Sequence, residues 1–104
     1  MRFLLKAEIP VETGNAAAKD GTLGKKIQSI LTELKPEAAY FLANNGKRTG
    51  FIFIDMQDQS QIPALAEPWF LTFNAALEFI PAMNLQDLMK AGPAIEQAVK
   101  KYGG

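Results

Sequence analysis

The stretch "RTGFIFIDMQD", residues 48–58, reads as a β-strand running from Thr49 to Met56. A strand sends alternate side chains to opposite faces. Phe51 and Phe53 therefore share one face, while Ile52, Ile54 and Met56 share the other. Both faces are apolar, so both need cover. A chain of 104 residues can supply helices for one face of a sheet. The cover for the second face must come from elsewhere.

Immediately upstream, "AAYFLA" (38–43) is a short apolar strand, followed by "NNGK". Asn-Gly is a strong hairpin signal because both residues tolerate positive φ. A two-residue turn at Asn45-Gly46 predicts Asn44 opposite Lys47, Leu42 opposite Thr49, Tyr40 opposite Phe51 and Ala38 opposite Phe53. On the reverse face Phe41 lies across from Gly50, where its ring can cover the missing side chain.

Farther out, Arg2 to Ile9 alternates Phe3, Leu5, Ala7 and Ile9 against Leu4, Lys6 and Glu8, the pattern of a strand ended by Pro10. The following "VETGNAAAKDG" reads as a loop with at most a weak helical turn. From Thr22 the period becomes helical: Leu23, Ile27, Ile30, Leu31 and Leu34 form one stripe, stopped by Pro36. After the central hairpin, Ile62, Leu65, Ala66, Trp69, Phe70 and Phe73 form a second stripe. Ser60 is the expected N-cap, and Pro68 is expected to kink this helix. "AALEFIPAM" (75–83) is the last strand, with Pro81 marking a sheet edge. Asn84 caps a short helix, and Gly92-Pro93 separates it from a final one carrying Ile95, Ala98, Val99 and Tyr102.

The order strand, helix, strand, strand, helix, strand is the ferredoxin-like βαββαβ pattern of an α+β fold, here with C-terminal helices, in one domain spanning 1–104. Right-handed crossovers place both helices on one face and put the first and third strands in the middle of a four-stranded antiparallel sheet. The other face carries Leu4, Lys6, Glu8, Tyr40, Leu42, Phe51, Phe53, Asp55, Ala76, Glu78 and Ile80. An apolar patch of that size calls for a second copy of the same sheet.

Composition narrows the chemistry. Eleven basic and eleven acidic residues cancel, and no basic run is present, so an electrostatic nucleic-acid binder is not expected. The chain has no Cys and no His. That removes disulfides, thiolate nucleophiles, Ser-His-Asp arrangements and the commonest metal ligands, so neither a metal nor a cofactor is expected. "MRFLLKAEIP" has the look of a signal peptide, but Lys6 and Glu8 interrupt it. With no stretch of membrane-spanning length, the expected location is the cytoplasm, away from membranes.

The segments "EIPVETGN", "DGTLGKKIQSIL", "LKPEAAYF", "GKRTGFIFIDMQD" and "IPALAEPWF" resemble an uncharacterised bacterial family of the dimeric α/β-barrel superfamily. The resemblance covers nearly the whole chain. It implies a homodimer in which two facing sheets close a barrel. Members of the superfamily include muconolactone isomerase-like enzymes, cofactor-free monooxygenases, haem enzymes and ligand-binding regulator domains, so the resemblance implies no single activity. The lack of His sets this chain apart from the His-ligated haem branch.

The residues with most chemistry are Lys6, Glu8, Asp55 and Glu78, placed on the uncovered face, where Lys6 and Glu78 can be cross-strand neighbours. Charges in an apolar cavity are costly unless paired and often mark function. One reading makes Asp55 or Glu78 a general base, with Lys6 or Tyr40 as acid or anchor, in a cofactor-independent isomerase or monooxygenase. Another makes Lys6, Glu8, Tyr40, Phe51, Phe53, Asp55, Glu78 and Trp69 the lining of a site for a small, largely apolar molecule. The plain reading is a paired structural network, or strand-end charges in water at the cavity mouth; a third possibility is a structural or partner-binding module. "DGTLGKK", with Lys19, Lys25 and Lys26, fits neither nucleotide-loop pattern and reads as a solvated helix start. The terminal "YGG" reads as a frayed helix end.

Overall fold

The first strand, β1 (Arg2–Glu8), buries Phe3, Leu5 and Ala7 and leaves Leu4, Lys6 and Glu8 on the other face. The computed structural model describes residues 1–104. The chain continues through α1 (Val11–Lys19), α2 (Leu23–Leu34), β2 (Ala38–Asn44), β3 (Lys47–Asp55), α3 (Ile62–Phe73), β4 (Ala76–Pro81), α4 (Leu85–Lys90) and α5 (Gly92–Tyr102). The four strands form one antiparallel sheet in the order β2-β3-β1-β4. This α+β arrangement, with β1 and β3 in the middle, is compatible with the ferredoxin-like pattern. Each strand differs by a residue or two at its ends from the spans read in the sequence; β3 begins at Lys47 and ends before Met56.

The hairpin register follows the expected turn. Asn45 and Gly46 take positive φ values of 56° and 73°. Tyr40 then pairs with Phe51, Leu42 with Thr49 and Phe41 with Gly50. A Cβ at Gly50 would stand 3.1 Å from Cε1 of Phe41, so the ring does lie over the bare backbone.

The helical face of the sheet builds the core. Leu5, Ala7, Ile9, Ile52 and Ile54 pack with Ala17, Ile30, Trp69, Phe73 and Ala75, and the stripe of α2 closes the rim. Trp69 and Phe73, one helical turn apart, stack with centroids 6.2 Å apart. Phe70 does not join them. It is 41% exposed, on the outer rim of the stripe to which the sequence pattern assigned it.

Several local expectations are corrected. Residues 11–19 are a nine-residue helix, not a loop. Its only buried residues are Gly14 and Ala17, so it offers no large apolar stripe to read. It packs by close approach instead: a Cβ on Gly14 would lie 2.8 Å from Nη1 of Arg48 and 3.4 Å from Cγ2 of Ile9. Asp58, not Ser60, makes the capping box ahead of α3, exchanging hydrogen bonds with Gln61. Pro68 lies inside α3, which continues through it to Phe73. At the end of α2, Lys35 turns left-handed (φ 48°), since Pro36 bars it from the α region.

The C-terminal helices stand apart. Asn84 and Asp87 form a capping box at the start of α4. No residue of α5 is buried, and its main packing is against α4. The chain extends 59 × 28 × 20 Å. Its radius of gyration is 17.3 Å; a compact domain of this length has about 13 Å.

Core depth sets the expected cost of truncation. Phe73→Ala should lower unfolding free energy by about 3–5 kcal/mol, while Phe70→Ala, at the rim, should cost far less. Urea denaturation of both variants measures the difference. Equal losses would place Phe70 in the core.

Candidate functional site

The uncovered face of the sheet is organised in cross-strand rows. Tyr40 pairs with Phe51, Phe51 with Lys6, and Lys6 with Glu78, so one row spans all four strands. The row on one side runs Ala38, Phe53, Leu4, Ile80, and on the other Leu42, Thr49, Glu8, Ala76. Seven of the eight residues singled out in the sequence thus share this surface: Lys6, Glu8, Tyr40, Phe51, Phe53, Asp55 and Glu78. Trp69 does not. It sits on α3, in the core across the sheet.

Glu8 is the hub of the polar half. Its side chain is only 14% exposed. Its carboxylate accepts hydrogen bonds from Nδ2 of Asn45 at 3.1 Å and Nδ2 of Asn44 at 3.4 Å. Nζ of Lys6 lies 3.5 Å away and Nζ of Lys47 3.6 Å away. Lys6 in turn reaches Glu78 at 3.5 Å. The Asn45 hydrogen bond outweighs the opposing effect of burial and, with smaller contributions from Lys47 and Lys6, holds the Glu8 carboxyl below its ordinary pKa. The two lysines and two glutamates compensate one another. The hairpin residues Asn44 and Asn45 therefore do more than turn the chain, and Lys47 joins them as a partner. The register already implied this, because Lys47 lies two residues from Thr49, which pairs with Glu8.

At the far end of the sheet, Asp55 accepts from the amino group of Met1 at 3.0 Å, and that contact holds its carboxyl below the ordinary range. Arg2 forms a two-pronged pair with Glu37, both N···O distances 2.9 Å, and lies 3.5 Å from Asp87 of α4. The side chains of Asp55 and Glu78 are 55% and 61% exposed. Both therefore stand largely in water in the single chain, whereas general-base chemistry needs a desolvated carboxylate. Tyr40 is 64% exposed. Asp20 of the "DGTLGKK" segment locks a turn, accepting from the backbone N–H of Thr22 at 2.9 Å and from its hydroxyl, which keeps its carboxyl below its ordinary pKa.

Of the three cavities in the surface, none is lined by the seven residues on the uncovered face. The largest, about 560 Å³, lies at the hairpin edge, bordered by Trp69 under the helices and also by Leu42 and Thr49. Nothing in the sequence patterns marked it. No three Asp or Glu side chains converge as a metal site. No helix is long and apolar enough to cross a membrane.

The Glu8 cluster has a pH signature. Its folded pKa lies below the unfolded one, so its stabilisation is complete above the ordinary value of 4.5 and is lost as the pH falls through the lower folded value. Glu8→Gln should lower the melting temperature at pH 7. The gap from the parent protein should narrow as the pH drops below 4.5. Calorimetry across this range checks it, and a gap independent of pH would contradict the role given to the carboxylate.

No curated protein sequence matches the chain at a significant level. A family model described as a domain of unknown function, DUF3303, matches residues 1–96. With a sheet whose rows all fall within that span and a match over most of its length, the chain belongs to the DUF3303 family.

Proposed function

We propose that this protein is a cytoplasmic homodimer of the dimeric α/β-barrel type, from a bacterial family, in which two uncovered sheet faces close on each other around a small, largely apolar molecule. The observation that carries this reading is an apolar surface with no cover of its own. Tyr40, Leu42 and Ile80 are exposed, and Leu4, Phe51 and Phe53 are half-buried beside them. The charges on the same face favour its burial, because ions tolerate desolvation only when paired. Here Lys6 and Lys47 are matched by Glu8 and Glu78. The net charge of zero adds no repulsion between copies.

The C-terminal arm fits the same occupant. Ile95, Val99 and Tyr102 of α5 are all more than half exposed, on a helix with little to pack on in its own chain. A two-fold dimer gives each arm the partner's body as a seat. The ligand would lie among Tyr40, Phe51 and Phe53, with Lys6 at its polar edge. The isomerase or monooxygenase reading has weaker support, since Asp55 is tied to the amino terminus and Glu78 to Lys6.

Light scattering coupled to size exclusion should give twice the 11.4 kDa chain mass at tens of micromolar. Burying a Phe is worth about 1.5–3 kcal/mol. A two-fold interface counts each change twice, so Phe53→Glu should weaken the dimer by at least about 100-fold. Native mass spectrometry should find a retained apolar molecule on the dimer and none on that variant. A single-chain mass for the parent protein would refute the proposal.

A further inference from the structure

The 560 Å³ cavity lies at the hairpin edge of the sheet, bordered mainly from the helical side but also by Leu42, Lys47 and Thr49. Its origin is a shortage of side-chain volume along the edge hairpin. Ala43, Gly46 and Gly50 line it with a methyl group or less, under α1, α2 and α3. Ligand sites commonly have volumes of about 300–1,000 Å³ with mostly apolar walls and a few polar groups. Here the apolar walls include Ile9, Ile27 and Phe41.

Two polar groups at this cavity stand out. Trp69 is fully buried, and its Nε1 is the one buried side-chain polar atom with no hydrogen-bond partner. An indole N–H can only donate, so its missing partner is an acceptor. Arg48 is the second. Nη1 of Arg48 donates to Oδ1 of Asn15 at 2.9 Å, which fixes the guanidinium against α1, yet no carboxylate pairs with it. Lys47, which also borders the cavity, is engaged by Glu8. Trp69, with its orphan donor, and Arg48, an exposed cation without a carboxylate partner, thus both border a space whose lining is a little over half apolar.

We infer that this cavity binds a small monocarboxylate with a compact apolar body, its carboxylate oxygens taken by the Arg48 guanidinium and the Trp69 indole N–H. A planar guanidinium matches a carboxylate in two-pronged geometry. A dianion such as phosphate would leave one charge without a matching free cation, and a neutral amide would forgo the charge-assisted pairing with Arg48. This inference does not depend on the dimer.

The chain has one Trp, so one indole N–H resonance and one fluorophore report directly on the site. Benzoate, phenylacetate and isovalerate are the probes, with benzamide and inorganic phosphate as comparisons, on the intact 104-residue chain. The indole resonance should shift saturably with at least one carboxylate at concentrations up to about 10 mM, tenfold above a millimolar Kd. Arg48→Met should weaken that carboxylate at least tenfold while leaving the unliganded indole resonance in place, which shows that the variant is folded. Benzamide and phosphate should bind at least tenfold more weakly. Absence of a saturable shift with all three carboxylates, binding that ignores Arg48→Met, or a preference for benzamide or phosphate would each overturn the inference. The mass of the same samples is read separately, so failure here is distinct from failure of the dimer.

Discussion

The turn at Asn45-Gly46 sets the register on which both faces of this sheet depend. A one-residue slip in a strand moves every side chain to the opposite face. The two-residue turn prevents that slip between β2 and β3, since its positive φ values suit Asn and Gly and few other pairs. With the register set, Phe41 meets Gly50 on the helical side and Tyr40 meets Phe51 on the other. The pairing of β1 against β3 then aligns Lys6 with Phe51 and Leu5 with Ile52. The core, the polar cluster and the edge cavity are three consequences of one alignment.

The turn also contributes chemistry of its own. Asn45 both adopts the left-handed conformation and donates to Glu8 on a different strand. This ties the hairpin tip to the centre of the sheet. Glu8 is nearly buried and therefore needs every partner it has, since a carboxylate removed from water is stable only among donors and cations. The cluster makes an otherwise greasy face specific. In the proposed dimer, two copies would align paired charges as well as apolar rows, and misaligned encounters would leave charges desolvated and unpaired.

The two faces of the sheet divide the labour. The helical face is closed by Trp69, Phe73 and the α2 stripe except at the β2 edge, where small residues leave a cavity beside an unsatisfied indole. The other face is open along its whole length, and the C-terminal arm extends rather than folding back over it. An arm that covered its own sheet would shield the apolar rows and produce a compact particle. Its extension leaves both surfaces available to a second chain.

The alternating and helical periods, together with the Asn-Gly turn, were sufficient to determine the order of the strands and of every α-helix but α1, the hairpin register and the membership of the uncovered face. These are properties of nearest neighbours along one strand or one helix turn, and seven of eight proposed site residues fall together for that reason. The exception, Trp69, lies in a helical stripe that right-handed crossovers already assign to the covered face, and it packs in the core there. Only the tertiary structure revealed α1, because a helix that packs through Gly14 and Ala17 carries no large apolar repeat. The same holds for the four-partner clamp on Glu8 and for the cavity at Ala43 and Gly50. Both arise where segments distant in sequence approach one another, and an empty volume is a property of their packing, which no local pattern of residues encodes.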